Sequence, residues 1–504
     1  MRNNSFEIPS DDAPTSTHYG GGVNAIIFII ATYLGLLILS APFANFRLFS
    51  LLAIFVTFAI YRLISPKHLC LTFKNPTEYI IIFGFLFTIS VLINAGIWIY
   101  EQDYTTNNPH SSFGSIETGR YSNISSYIIT HDSIPRIKQN YGQSIITAAL
   151  GWISFLNGPL TLFLILTFSK TLLLLSLYEL IRNYRGVLLS ISFSVSLLFL
   201  GQSVIFSSVI NYDSGTPIAV NGYFDAIFSF LTLYLYIYIN IVKIEKRRLI
   251  ISFILYLNWI FIAPQNIILV SVYNVFLLFT ALKIEAFKNL LLILSTLVFS
   301  YFFGGFFLGN VDQDVIKSIP GLDILLSKFL LKLNFGMDYL IFDPFNYPGF
   351  AFQHISNPPV DYGNLTLQET TNIFIARLTT ILEINFLTLY VFFTGLGMYF
   401  KNSLYKNFFG FYFCAFILFA CVCIFEVVDH KWQMSRFIMP FAIISSFTFI
   451  FYLSSVARRD IFYYCNLMIF LYLLTYNSYA SLARIKLFLF NSPMFFLNKL
   501  IFGF

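Results

Sequence analysis

The sequence predicts an all-α fold, a polytopic transmembrane bundle of about 13 helices with two long external loops carrying interfacial helices. Three observations lead there. Of 504 residues, 57% are hydrophobic and only 11% charged, with a mean hydropathy of +0.75, which leaves too little polar surface to wrap a soluble globule. The apolar residues gather in runs of about 20, the length that crosses about 30 Å of hydrocarbon. The basic residues gather in alternate connections between those runs, as the positive-inside rule requires.

Residues 1–22 are polar and rich in Ser, Asp, Pro and Gly. They read as a disordered cytoplasmic tail, because no basic region leads into the short apolar core of a signal peptide. The expected spans are Val23–Phe43, Leu48–Ile64, Tyr79–Tyr100, Leu160–Ile181, Val187–Ile210, Phe224–Val242, the close pair Leu249–Ala263 and Ile267–Leu282, and Leu290–Leu308. Phe386–Phe400, Phe408–Val428, Phe437–Ser455 and Ile461–Ala480 follow. The bundle thus occupies residues 23–480, and residues 481–504 form an external or interfacial C-terminal segment.

Threading the spans alternately puts Arg62, Lys67 and Lys74, then Arg182 and Arg185, then Lys243 with Lys246, Arg247 and Arg248, on one face. Lys283 with Lys288, Lys401 with Lys406, and Arg458 with Arg459 join them. These six short connections hold fifteen basic residues in about 45 positions, and the opposite face about nine in three times the length. The short loops are therefore expected in the cytoplasm with the N-terminus, and the long loops outside. The net charge of +6 follows this division between faces and does not point to nucleic acid.

The long external loops run over residues 101–142 and 310–385. In the second, Leu322, Leu325, Leu326, Phe329, Leu330 and Leu333 recur at helical spacing and suit a helix lying in the interface. Tyr141–Phe155 suits another. The Pro/Gly/aromatic segment from Asp343 to Gly363 cannot be regular secondary structure and has the character of a functional lid. Of the five cysteines, Cys70 falls in a cytoplasmic loop and the others within spans, so no external disulfide is expected. No Gly-rich phosphate loop or cytoplasmic nucleotide-binding segment is apparent, which argues against an ATP-driven pump.

The third span ends at Tyr100 and runs into Glu101-Gln102-Asp103, two carboxylates at the mouth of the first long loop. An E-x-D or D-x-D variant in that position resembles the hallmark of the GT-C superfamily of polytopic glycosyltransferases. The stretch from Pro135 through Tyr141 and Trp152 is similar to that family's interfacial helix. Asn211-Tyr212-Asp213 supplies a further acid on the same face, and Asp429-His430-Lys431 with Arg436-Phe437 is similar to the H-K-E-x-R-F signature of lumenal mannosyltransferases. Here no Glu follows the lysine, Arg436 and Phe437 stand two residues late, and two extra helices precede the acidic loop.

The resemblance implies inverting transfer of a sugar from a polyprenyl-phosphate donor to a glycan or lipid acceptor at the external face of a membrane. It implies Asp103 or Glu101 as general base, with Asp103 slightly favoured because its charge lies closer to the backbone. His430, Lys431 and Arg436 would bind the donor, with Asp213 nearby, and whether a divalent cation takes part stays open. The chemistry is consistent: transfer needs a base for the acceptor hydroxyl and positive charge for the leaving phosphate, both at headgroup depth. With no external cysteine and no retention signal, a bacterial plasma membrane is the expected location.

A lipid-linked saccharide polymerase or ligase, or a flippase-type transporter, would share the helix count and the basic cytoplasmic loops. Transporters place ionisable residues near the bilayer midplane. The span interiors here read as almost free of charge, which favours surface chemistry. The expected topology is tested by cysteine labelling in sealed cells: Ser112→Cys should react from outside, and a cysteine in the Lys243–Arg248 loop only after permeabilisation. Labelling of both from the same side would overturn the map.

Overall fold

The computed structural model describes residues 19–40, 45–64, 76–104, 116–132, 142–182, 185–196, 224–242, 247–262, 264–281 and 284–307, with scattered helical residues, one to three at a time, between 368 and 501. Among the described residues every element is helical. They are α1 (Tyr19–Ser40), α2 (Phe46–Ile64), α3 (Pro76–Tyr104), α4 (Ile116–His131), α5 (Gly142–Ser154) and α6 (Gly158–Arg182). Then come α7 (Val187–Ser196), α8 (Phe224–Ile237, continued by a π turn at Tyr238–Val242), α9 (Arg248–Ile262), α10 (Pro264–Ala281) and α11 (Ile284–Phe307). Among the described residues four helices are long and apolar enough to cross a membrane: Gly22–Ser40, Phe46–Leu63, Pro76–Ala95 and Gly158–Arg182.

The first four long spans lie where expected, to within four residues at each end. The close pair is two helices, with Pro264 opening the second, where a proline costs no hydrogen bond. The last four expected spans fall largely or wholly outside the described residues, as does the amphipathic stretch from Leu322 to Leu333. The count of about 13 helices thus extends beyond the described part.

α2 has a surface suited to lipid. Its outward face carries Leu48, Leu51, Leu52, Phe55 and Phe58, all exposed. Its buried face carries Ser50, Ala53 and Thr57. A helix that turns large apolar groups outward and small or polar ones inward would aggregate in water, but it is the normal arrangement in a bilayer. Burial rises from 22% of the α2 span and 39% of the α3 span to 67% for α1 and 78% for α6. α1 and α6 are therefore central, and α2 and α3 lie on the perimeter.

Polar contacts between helices fix their directions. Arg182 at the end of α6 meets Glu78 at the start of α3 at 3.2 Å, and Asn94 of α3 donates to Thr167 of α6 at 2.9 Å, so the two helices run antiparallel. Arg248 opens α9 and pairs at 2.6 Å with Glu285 in the first turn of α11. Desolvation works against the Glu285 charge, yet Arg248 and Lys288 outweigh it and hold the carboxyl below its ordinary value. Asn258 of α9 donates to the Ala31 carbonyl of α1 at 2.7 Å. A side chain in place of Gly35 would press on that Asn258 amide, at 3.2 Å.

The first long loop differs from expectation. α4 was not foreseen; it packs through Ser122, Ser125 and Ile128, all buried at three-residue spacing, and Ser125 donates to the Ser144 carbonyl of α5 at 3.1 Å. α5 is a helix as expected, but residues 142–149 are enclosed except for a few atoms and pack on α1, α2, α4 and α6. An interfacial helix needs a wet face. Residues 142–149 of α5 have none, and the small side chains of Gly142, Ser144, Ala148, Ala149 and Gly151 let it enter the bundle. Arg47 closes the other end of α4: its Nη2 donates to the Ile129 carbonyl at 2.8 Å, and its main-chain N–H to the Asp132 carboxylate at 3.0 Å.

Gly158 sets how closely α4 approaches α6. A Cβ there would strike the Ser122 carbonyl, which is backbone, and come within 2.6 Å of the Ser126 hydroxyl. Gly158→Val should cost about 1–3 kcal/mol, as overpacking does, read as a lowered Tm of the purified protein. An unchanged Tm would mean that α4 does not lie against α6.

Candidate functional site

α3 does not stop at Tyr100. The helix continues through Glu101 and Asp103 to Tyr104, so the acidic pair occupies its final turn. Two positions on a helix are separated by about 200° and do not share a face. The register therefore distinguishes them. Position 101 lies 7, 11 and 15 residues beyond Asn94, Ser90 and Leu86, whole turns to within about 60°, and those three residues are buried. Position 103 lies 18 and 22 residues beyond Phe85 and Ile81, which are 48% and 65% exposed. By helical register, position 101 is thus aligned with the buried residues Leu86, Ser90 and Asn94, and position 103 with the exposed Ile81 and Phe85.

Beneath position 101 the α3–α6 seam holds a polar layer. Asn94 donates through Nδ2 to Thr167 Oγ1 and accepts through Oδ1 from the Lys170 ammonium. Thr167 in turn donates to the Phe163 carbonyl at 2.8 Å. Lys170 is 2% exposed, twelve residues inside the start of α6. An ionisable group at such depth costs about 2.5–3.5 kcal/mol on insertion scales and usually faces a partner or a functional cavity.

Closer to the other end of the seam lies Glu179, 4% exposed, beside Tyr79 and Tyr234. Among the described residues its Oε1 makes no hydrogen bond of ordinary geometry, and the Tyr79 hydroxyl is the polar group beside it. The neighbouring Glu78 accepts from Tyr178 at 2.5 Å and from Arg182, so a charged and hydroxyl-rich cluster closes that end of the bundle.

Lys170 and Glu179 correct the expectation that the span interiors are almost free of charge. Both stand inside the predicted span Leu160–Ile181, where the surrounding Leu and Phe residues keep the average hydropathy high. The legible signal was the lysine itself, near the middle of an apolar run. Of the residues expected at the site, Glu101 and Asp103 are placed on α3, whereas Asp213, His430, Lys431 and Arg436 lie outside the described residues. Among the described residues no cluster of three or more His, Cys, Asp or Glu side chains could hold a metal ion.

A second polar layer joins α8, α9, α10 and α11. Asn240, in the π turn, donates to Ser252 at 3.3 Å, Asn274 donates to the Tyr236 hydroxyl at 3.3 Å, and Asn289 donates to Asn274 at 3.2 Å. Trp259 donates to Thr232 at 2.6 Å. These neutral amides and hydroxyls give interhelical bonds where apolar contact alone distinguishes little between helix–helix and helix–lipid packing.

No protein-family model, curated protein or solved structure matches this chain.

Asn94→Leu would remove an acceptor from Lys170 and a donor from Thr167 together. We expect it to cost about 2 kcal/mol, as other buried unsatisfied groups do, read as a lower Tm and loss of monodisperse protein in detergent. A variant as stable as wild type would show that the polar layer contributes nothing to packing.

Proposed function

We propose that the chain is a membrane glycosyltransferase of the GT-C type. It transfers a sugar from a polyprenyl-phosphate donor to a glycan or lipid acceptor at the external face of a bacterial plasma membrane, with Glu101 as general base. The observation that carries this reading is the length and register of α3. Between Glu78, in its first turn, and Glu101, in its last, the helix rises about 35 Å, slightly more than the ~30 Å hydrocarbon core. With Glu78 and Arg182 at one headgroup layer, Glu101 reaches the other. That is where the phosphate of a donor whose tail stays in the bilayer must sit.

The chemistry assigns the remaining roles. The Glu101 carboxylate accepts the proton of the acceptor hydroxyl as it attacks the anomeric carbon, while the lipid phosphate leaves. Arg436 offers a planar fork for that phosphate, and Lys431 and His430 add positive charge. Asp213 orients the acceptor or holds a divalent cation. α4 and α5 follow the acidic turn and fold back against α6, consistent with a loop that covers a site at the end of α3.

A second reading has its own support. Lys170 and Glu179 are enclosed ionisable groups within a span, a feature of substrate and ion pathways through membranes in general. Transfer and translocation are separable in proteoliposomes loaded with a radiolabelled prenyl-phosphate sugar pool, with cell-envelope extract as acceptor. Glu101→Gln should lower turnover ~10²-fold or more, while Asp103→Asn stays near the wild-type rate. The reverse pattern would make Asp103 the base. Wild-type rates in both variants would sink the carboxylate mechanism and bring the translocation reading forward.

A further inference from the structure

The end of α5 breaks a local rule. The Leu156 N–H donates to the Gly151 carbonyl at 2.9 Å and the Phe155 N–H to the Trp152 carbonyl at 3.3 Å, the bonding of a left-handed helix cap. Such a cap puts the residue after the helix at positive φ, which glycine adopts without strain. Here that residue is Phe155, at φ 57°, a bulky side chain in a conformation that its Cβ disfavours. Gly151 permits the tight reversal, since a Cβ there would stand 3.0 Å from the Leu156 carbonyl oxygen. Asn157 then caps α6, its Oδ1 accepting from the Leu160 N–H at 2.8 Å.

The reversal throws the Phe155 ring outward. It is 95% exposed, the most of any large apolar side chain among the described residues, although residues 142–149 of the same helix are enclosed. In water, an uncovered ring on a strained backbone would be unfavourable on both counts. Its place in the chain removes one of them. Phe155 lies three residues before Gly158, where a 25-residue apolar helix begins. That helix is about 37 Å long, more than the ~30 Å hydrocarbon core, so residues just beyond its ends stand at the headgroup layer. Aromatic side chains gather at that depth, and Trp152 is a second one on the same turn.

A second segment reaches the same place. The Asn157 Nδ2 donates to the Ile501 carbonyl at 2.6 Å, which ties the C-terminal end of the chain to the start of α6. Leu489, Phe490, Met494, Leu497 and Ile501 are helical and 41–78% exposed, and their spacing puts them within about 140° on a helix. Lys486 sets its ammonium 5.8 Å from the Phe490 ring centroid, a cation at the rim of an apolar face. We propose that Phe155 and this C-terminal face form one apolar shelf, seated in the headgroup–acyl boundary of the bilayer at the Gly158 end of α6, with lipid as its partner. Lipid contact compensates the strained conformation of Phe155, and the shelf holds the start of α6 at a fixed depth. It does not depend on the proposed reaction.

Photo-crosslinking identifies the occupant and needs no turnover. The photoreactive analogue p-benzoyl-phenylalanine keeps an aromatic ring at position 155 of the full chain. Irradiated in phosphatidylcholine–phosphatidylglycerol vesicles, this variant should give lipid adducts by mass spectrometry, attached near the glycerol end of the acyl chain. The same analogue in place of Phe55, exposed in the middle of α2, should give adducts toward the methyl end. A cross-linked dimer would assign the shelf to a second copy of the chain, a peptide adduct within the chain to another segment, and the absence of adducts to water. Each of these would overturn the proposal, as would adducts at the methyl end for position 155. The analogue in place of Leu497 tests the C-terminal half by the same criteria, and keeps the test decisive should the variant at 155 fail to fold.

Discussion

Hydrocarbon offers no hydrogen bonds, and that constraint organises this bundle. Hydroxyls within the spans can turn back to their own helix, as Thr167 and Ser176 do, but the polar groups that reach across appear in layers where helices meet. One layer joins Asn94, Thr167 and Lys170 across the α3–α6 seam. Another joins Asn240, Ser252, Tyr236, Asn274 and Asn289 across four helices. Each bond contributes only about 0.5–1.5 kcal/mol, but together they select one register and one set of neighbours, which apolar contacts in lipid cannot do. The perimeter needs no such selection, and α2 accordingly faces outward with Leu and Phe.

The seam also links the ends of the bundle. α3 is unbroken from the Glu78–Arg182 pair through the lysine layer to its acidic last turn. A rigid helix transmits depth and rotation faithfully, so what fixes Asn94 fixes the position of residue 101. Arg47, Asp132 and Ser125 hold α4 near the same end, with Gly158 allowing its close approach to α6. The elements around the proposed site are thus supported from below and from the side by ordinary packing.

Much of this was legible beforehand because long apolar runs and basic loops are strong signals. α1, α2, α3 and α6 could be read to within a few residues. α4 could not, since Ile116–His131 is rich in Ser, Thr and Tyr and has no apolar run; its packing uses serine where a soluble helix would use leucine. α5 was legible as a helix but not in its setting, because small side chains permit burial without announcing it. Glu101 and Asp103 could be found by position alone. Choosing between them required the burial pattern of Leu86, Ser90 and Asn94, which a nearly uniform apolar sequence does not reveal. Lys170 was plain in the sequence but outweighed by its neighbours.

The unbroken length of α3 has a consequence for the membrane around it. A stiff helix cannot shorten, so a bilayer of different thickness must be accommodated by tilt or by local deformation of the lipid, at fractions of a kcal/mol per Å. For a residue at the very end of such a helix, acyl-chain length therefore sets how far it stands from the headgroup plane. The composition of the surrounding lipid becomes a coordinate of the site, as much as any side chain that lines it.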